Sequence, residues 1–83
     1  ISSSGDSENV VRATKWAKDN NVRSLSLTGF NGGRTRVMSD VNLHIDGDNY
    51  GVVEDAHQSV MHILAQYIRL CNMCPSQIEQ KLF

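Results

Sequence analysis

Ile1-Ser2-Ser3-Ser4-Gly5-Asp6-Ser7-Glu8-Asn9 leads from a strand-like residue through four serines and a glycine into a helical pattern. The hydroxyls of Ser2, Ser3, Ser4 and Ser7, the free N–H groups of a tight turn and the positive end of the next helix converge where a phosphate dianion can sit. Asp6 can face outward from such a turn. The same composition also fits a serine-rich helix cap behind a disordered start.

Working outward, Val10, Ala13, Thr14 and Ala17 recur at the spacing of a one-sided helix over residues 8–20, with Ser7 as N-cap and Glu8 suited to the dipole. Trp16, beside that stripe, reads as a packing or interface aromatic. Asn20-Asn21 is a turn signal. Residues 22–28 alternate Leu25 and Leu27 with Ser24 and Ser26, a strand whose small serines fit cover on both faces. Gly29-Phe30-Asn31-Gly32-Gly33 is a sharp turn at the carboxyl end of that strand, where open α/β sheets bind ligands, although alone it also fits a plain connector. Residues 34–39 have room for a short helix and 41–45 alternate as a strand. The polar turn at 46–51 lacks the glutamate a calcium loop requires.

Residues 52–70 form the longest periodic segment, with Val53, Ala56, Val60, Ile63, Leu64 and Tyr67 spaced three and four apart. Glu54, Gln58 and His62 share a ridge roughly opposite that stripe. Met61, Ala65 and Ile68 flank the ridge, so this second face suits an oligomer contact that also lends polar groups to a site. His57 points nearer the core and reads as a packed or capping histidine. Helix and strand therefore alternate as βαβ(α)βα, which calls for a parallel sheet with helices on both faces.

The 83 residues suffice for one small domain with a modest core. Eight Lys and Arg against nine Asp and Glu leave a net charge of −1, which disfavours nucleic acid and anionic membranes as partners. No apolar run approaches the roughly 20 residues of a membrane span, and a cytoplasmic protein is the expectation. Cys71 and Cys74 form a lone CxxC pair, read as incidental reduced thiols. The chain opens on Ile without an initiator Met, as part of a longer polypeptide would.

Three stretches carry a family resemblance. Residues 1–9 resemble the second serine loop of the sugar isomerase (SIS) domain. Residues 25–33, Leu-Ser-Leu-Thr-Gly-Phe-Asn-Gly-Gly, are similar to the strand and turn that follow it there. Glu54-Asp55-Ala56-His57-Gln58-Ser59-Val60-Met61-His62-Ile63-Leu64 resembles the C-terminal helix of the phosphoheptose (sedoheptulose 7-phosphate) isomerases. The resemblance implies a flavodoxin-like α/β domain whose C-terminal half is residues 1–71, with a tail at 72–83. The N-terminal half, bearing another serine loop and a catalytic glutamate, would be absent.

It further implies an aldose–ketose isomerase converting sedoheptulose 7-phosphate to D-glycero-D-manno-heptose 7-phosphate for cell-envelope saccharides. Ser2, Ser3, Ser4 and Ser7 would bind the substrate phosphate and His62 would transfer protons, in a homotetramer. Some members of the family hold zinc, for which Glu54 and His62 are the candidate ligands. Glu54 departs from the pattern, since a glutamine is common at that position, although carboxylate is a competent zinc ligand. The alternative is a non-catalytic SIS module that binds a sugar phosphate or associates with a replication initiator. His62 favours the enzyme, because the non-catalytic relatives lack a histidine there.

Overall fold

The computed structural model describes residues 1–80, in which helix and strand alternate: α1 (Glu8–Asp19), β1 (Leu25–Thr28), α2 (Gly33–Met38), β2 (Val41–His44), α3 (Tyr50–Cys71) and α4 (Pro75–Gln80). Positions 81–83 of the expected tail lie outside the described residues. β1 and β2 pair in parallel, with Leu25 opposite Val41 and Thr28 opposite His44. The strand expected to end at Ile1 is reduced to a single parallel bridge between Ser2 and Thr28, on the other edge of β1. The architecture is thus a small α/β unit with a two-stranded parallel sheet, compatible with part of a larger sheet domain.

β1 is the buried centre. Ser26, Leu27 and Thr28 are all buried in succession, so both faces of the strand are covered. Its hydroxyls are satisfied in a polar network: Ser26 Oγ meets Ser39 Oγ at 2.6 Å, and Asn42 Nδ2 donates to Ser26 Oγ at 2.8 Å and to Thr28 Oγ1 at 3.0 Å. Buried hydroxyls bonded in this way cost little, whereas an unpaired one would be destabilising. The strand begins at Leu25 rather than at Val22. Asn21 takes a left-handed conformation, Val22 N–H turns back to Ala17 O at 2.8 Å, and Asp40 Oδ2 accepts from Ser24 N at 2.7 Å.

The helices correct two expectations from periodicity. The buried face of α1 is Val11 and Thr14, with Val10 and Ala17 half-buried, while Ala13 is exposed. Facing is set by what a helix packs on, and α1 lies against α2. α3 starts at Tyr50 because the Asn49 side chain accepts from Val52 N at 3.1 Å and caps the first turn. Its buried residues are Val53 and His57, with Ala56, Val60 and Leu64 of the anticipated stripe half-buried, while Ile63 and Tyr67 are exposed, with Ile68 beside them. A 22-residue helix is about 33 Å long and a four-residue strand only about 13 Å, so the distal turns outrun the sheet.

Trp16 is exposed on α1. Cys71 and Cys74 are free and exposed, and the Cys74 thiol is held below its ordinary value, chiefly by its hydrogen bond with Ser76.

Candidate functional site

The serine loop and the connector between β1 and α2 form one interlocked unit. Gly5, at φ 73°, turns its Cα against the carbonyl of Gly32, at φ 86°, and any β-carbon on Gly5 would collide with that carbonyl. A β-carbon on Gly33 would stand 2.6 Å from the carbonyl carbon of Gly5. Only residues without side chains allow this approach. Thr35 N then donates to Gly5 O at 2.9 Å.

Asp6 is exposed, as the sequence suggests, and it also completes the lock. Its Oδ1 accepts from the backbone N of Arg34 at 2.9 Å and from Arg34 Nε at 3.1 Å, while Arg34 Nη2 reaches Asp6 O and Glu8 Oε2. The Arg34 backbone and side-chain hydrogen bonds hold the Asp6 carboxyl below its usual value. Asp6 and Glu8 raise the Arg34 guanidinium above its own.

Within this frame the serines take distinct parts. Ser2 is buried, bridges to Thr28, accepts from Gly5 N at 3.1 Å and donates to Ser7 Oγ at 3.2 Å. Ser4 Oγ accepts from Asp6 N at 3.2 Å. The hydroxyl protons of Ser4 and Ser7 have no acceptor among the described residues. Ser7 occupies the N-cap position of α1, yet its side chain makes no capping bond. The first N–H groups of a 12-residue helix therefore lack a cap beside free hydroxyl donors, an arrangement that attracts anions.

These serines line a cleft of about 460 Å³ together with Glu54, His57, Gln58 and Met61 of α3. The structure thus brings Ser2, Ser3, Ser4, Ser7 and Glu54 to one cavity. His62 follows Met61 on α3 but is exposed and does not line it. A second cleft, about 730 Å³, shares Ser4 and is walled by Asp6, Asp46, Asp48 and the Phe30–Tyr50 ring pair, whose centroids are 4.7 Å apart. Its three carboxylates disfavour a phosphate, so the smaller cleft, which has Glu54 alone, is the better candidate for an anion.

For zinc, the candidate ligands Glu54 and His62 are two donors on one helix. Among the described residues no group of three or more His, Cys, Asp or Glu side chains is placed to hold an ion. A tetrahedral site takes at least three protein ligands, so the described residues do not complete one.

Sequence reasoning missed Arg34 and the contribution of His57. His57 is 2% exposed, and its Nε2 lies 3.0 Å from the carbonyl oxygen of Thr28. It is the packed histidine the periodicity indicated, but it also forms part of the cleft wall. The spacing of Glu54 and Gln58 around it was the available signal.

No protein-family model matches the chain. The chain is similar to a protein of Helicobacter pylori (strain Shi470) named phosphoheptose isomerase, at 40% identity over 68 residues, covering 82% of this chain and 35% of that protein. A phosphoheptose isomerase of Escherichia fergusonii is 35% identical over 69 residues, 82% of this chain and 36% of its own length. A probable phosphoheptose isomerase of Thermoplasma acidophilum is 32% identical, with coverage of 82% and 37%. The chain spans about a third of the length of the curated relatives it matches.

Proposed function

Since the chain belongs with the phosphoheptose isomerases, as a segment about a third of their length, we propose that it supplies the phosphate-holding wall and one proton-transfer group of an aldose–ketose isomerase acting on a phosphorylated sugar. The observation that carries this reading is the small cleft, where the unused hydroxyls of Ser4 and of Ser7, at the N-cap position of α1, share a cavity with Glu54. The proposed reaction is sedoheptulose 7-phosphate to D-glycero-D-manno-heptose 7-phosphate. On this reading the whole enzyme is a cytoplasmic homotetramer that supplies heptose for cell-envelope saccharides. No helix among the described residues is long and apolar enough to cross a membrane.

Moving the carbonyl between C1 and C2 requires removal of a carbon-bound proton, exchange of protons on oxygen and stabilisation of the enediolate charge. The serine loop would fix the phosphate, so that binding energy from the unreactive end positions the reacting carbons. His62, on the exposed ridge beyond Met61, is the proposed acid/base. Glu54 would orient it or the substrate. The resemblance puts the partner glutamate on a segment outside this chain. Zinc, where bound, would polarise the carbonyl, with Glu54 and His62 as donors and further ligands from elsewhere.

The test is phosphate binding by the full-length protein. Replacing Ser4 and Ser7 together by Ala removes two charge-assisted hydrogen bonds and should weaken sugar-phosphate binding by about 2–3 kcal/mol in calorimetry. Unchanged affinity in that double variant would remove the proposal.

A further inference from the structure

Resting on the phosphosugar reading above, we propose that His57 is a specificity-determining residue whose Nδ1 accepts a hydrogen bond from a hydroxyl of the sugar chain while the serine loop holds the phosphate. The Thr28 carbonyl oxygen carries no proton and can only accept, so the 3.0 Å contact assigns the hydrogen to His57 Nε2. With Nε2 protonated, the neutral ring presents Nδ1 as an acceptor. That Nδ1 is buried and has no hydrogen-bond partner among the described residues. An unpaired buried acceptor is unfavourable, and a ligand donor that reached it would recover the loss.

The ring belongs to the wall of the serine-lined cleft, and its position relative to the serines is fixed. Thr28, whose carbonyl holds Nε2, is the residue that bridges to Ser2. The two walls of the cleft have opposite hydrogen-bonding character. The serine wall offers hydroxyl donors, while α3 brings the Glu54 carboxylate and the His57 ring, whose Nδ1 is the unpaired acceptor, to the other side. Inorganic phosphate satisfies only the first wall. A ligand that satisfies both is anionic at one end and carries hydroxyl donors along its length, which is the chemistry of a phosphorylated polyol chain.

The experiment uses the full-length protein and two probes, inorganic phosphate and sedoheptulose 7-phosphate. In His57→Gln the amide N–H can keep the bond to Thr28 O, but the ring acceptor is lost. Phosphate affinity should stay within about twofold, while sugar-phosphate affinity falls about tenfold, the scale of one hydrogen bond left unmade. Equal losses for both probes, or no loss for either, would overturn the assignment and leave His57 as packing alone. Should the unmodified protein bind no phosphate, the phosphosugar reading itself fails and this one with it. If His57→Gln does not fold, ¹⁵N spectra of the unmodified protein decide the matter. Sugar phosphate should move the His57 Nδ1 resonance and inorganic phosphate should not; identical responses would overturn the assignment.

Discussion

Gly29 leaves no room for a methyl group beside Val53: a β-carbon built on it would stand 2.7 Å from Val53 Cγ2 and closer still to Cγ1. Val53 is fully buried, and it anchors the first turns of α3 against the end of β1. Gly29→Ala should therefore destabilise by about 1–3 kcal/mol through overpacking, and Val53→Ala by about 2 kcal/mol through lost burial. Combined, they should cost less than the sum, because the alanine methyl fills space the valine vacates. Denaturant unfolding of the four proteins in the cycle measures the coupling. Strict additivity would contradict the contact.

Asp6 links the serine loop to α2, and its lowered carboxyl value has a direct pH consequence. A carboxyl depressed in the folded state adds stability that is complete above its unfolded value, about 3.9. That contribution is lost as the pH falls through the folded value. Asp6→Asn should remove this part of the acid limb and lower neutral-pH stability by the same amount, which is small because Asp6 and Arg34 are both exposed and their pairing is screened. An acid limb identical in wild type and Asp6→Asn would show that the clamp contributes nothing.

His62 is exposed, so His62→Gln should leave the melting temperature nearly unchanged. In the complete enzyme, loss of a general acid or base should reduce turnover of the ketose 7-phosphate by about 10²-fold or more. Full activity in that variant would remove His62 as the acid or base, whereas no turnover by the unmodified full-length protein would make the non-catalytic sugar-phosphate-binding module the better reading.

Ile63 and Tyr67, one turn apart on the distal half of α3, are 64% and 65% exposed, and Ile68 lies beside them. Apolar residues so placed suit a subunit contact. Met61, the flanking residue that periodicity pointed to, lines the serine cleft instead, so Ile63→Lys with Tyr67→Lys is the cleaner probe. The double variant should reduce the mass found by light scattering for the full-length protein. A monomer in both forms at micromolar concentration would end the tetramer proposal.

Local signals in the sequence were good guides to local structure. The serine run, the glycine turn before Arg34 and the long helix all stand close to where composition and periodicity put them, because each is specified by neighbours within a few residues. The contacts that join them were illegible. Asp6 and Arg34 are 28 positions apart, and His57 and Thr28 are 29. Nothing in either neighbourhood names its partner. The facing of α1 was legible only in part for the same reason: Thr14 is buried as the spacing suggests, but Ala13 and Val11 are both apolar, and it is tertiary packing that buries Val11 and leaves Ala13 exposed.

Gly5 and Gly32 meet backbone to backbone, and that contact ties the history of two loops together. A side chain acquired at Gly5 would have to displace the Gly32 carbonyl, and through it the start of α2. On the proposed reading, the phosphate loop cannot be retuned at its own turn without rebuilding the connector between β1 and α2. Change in ligand preference is thereby channelled to the serine hydroxyls and to the α3 wall, whose side chains can vary without moving the backbone that carries them.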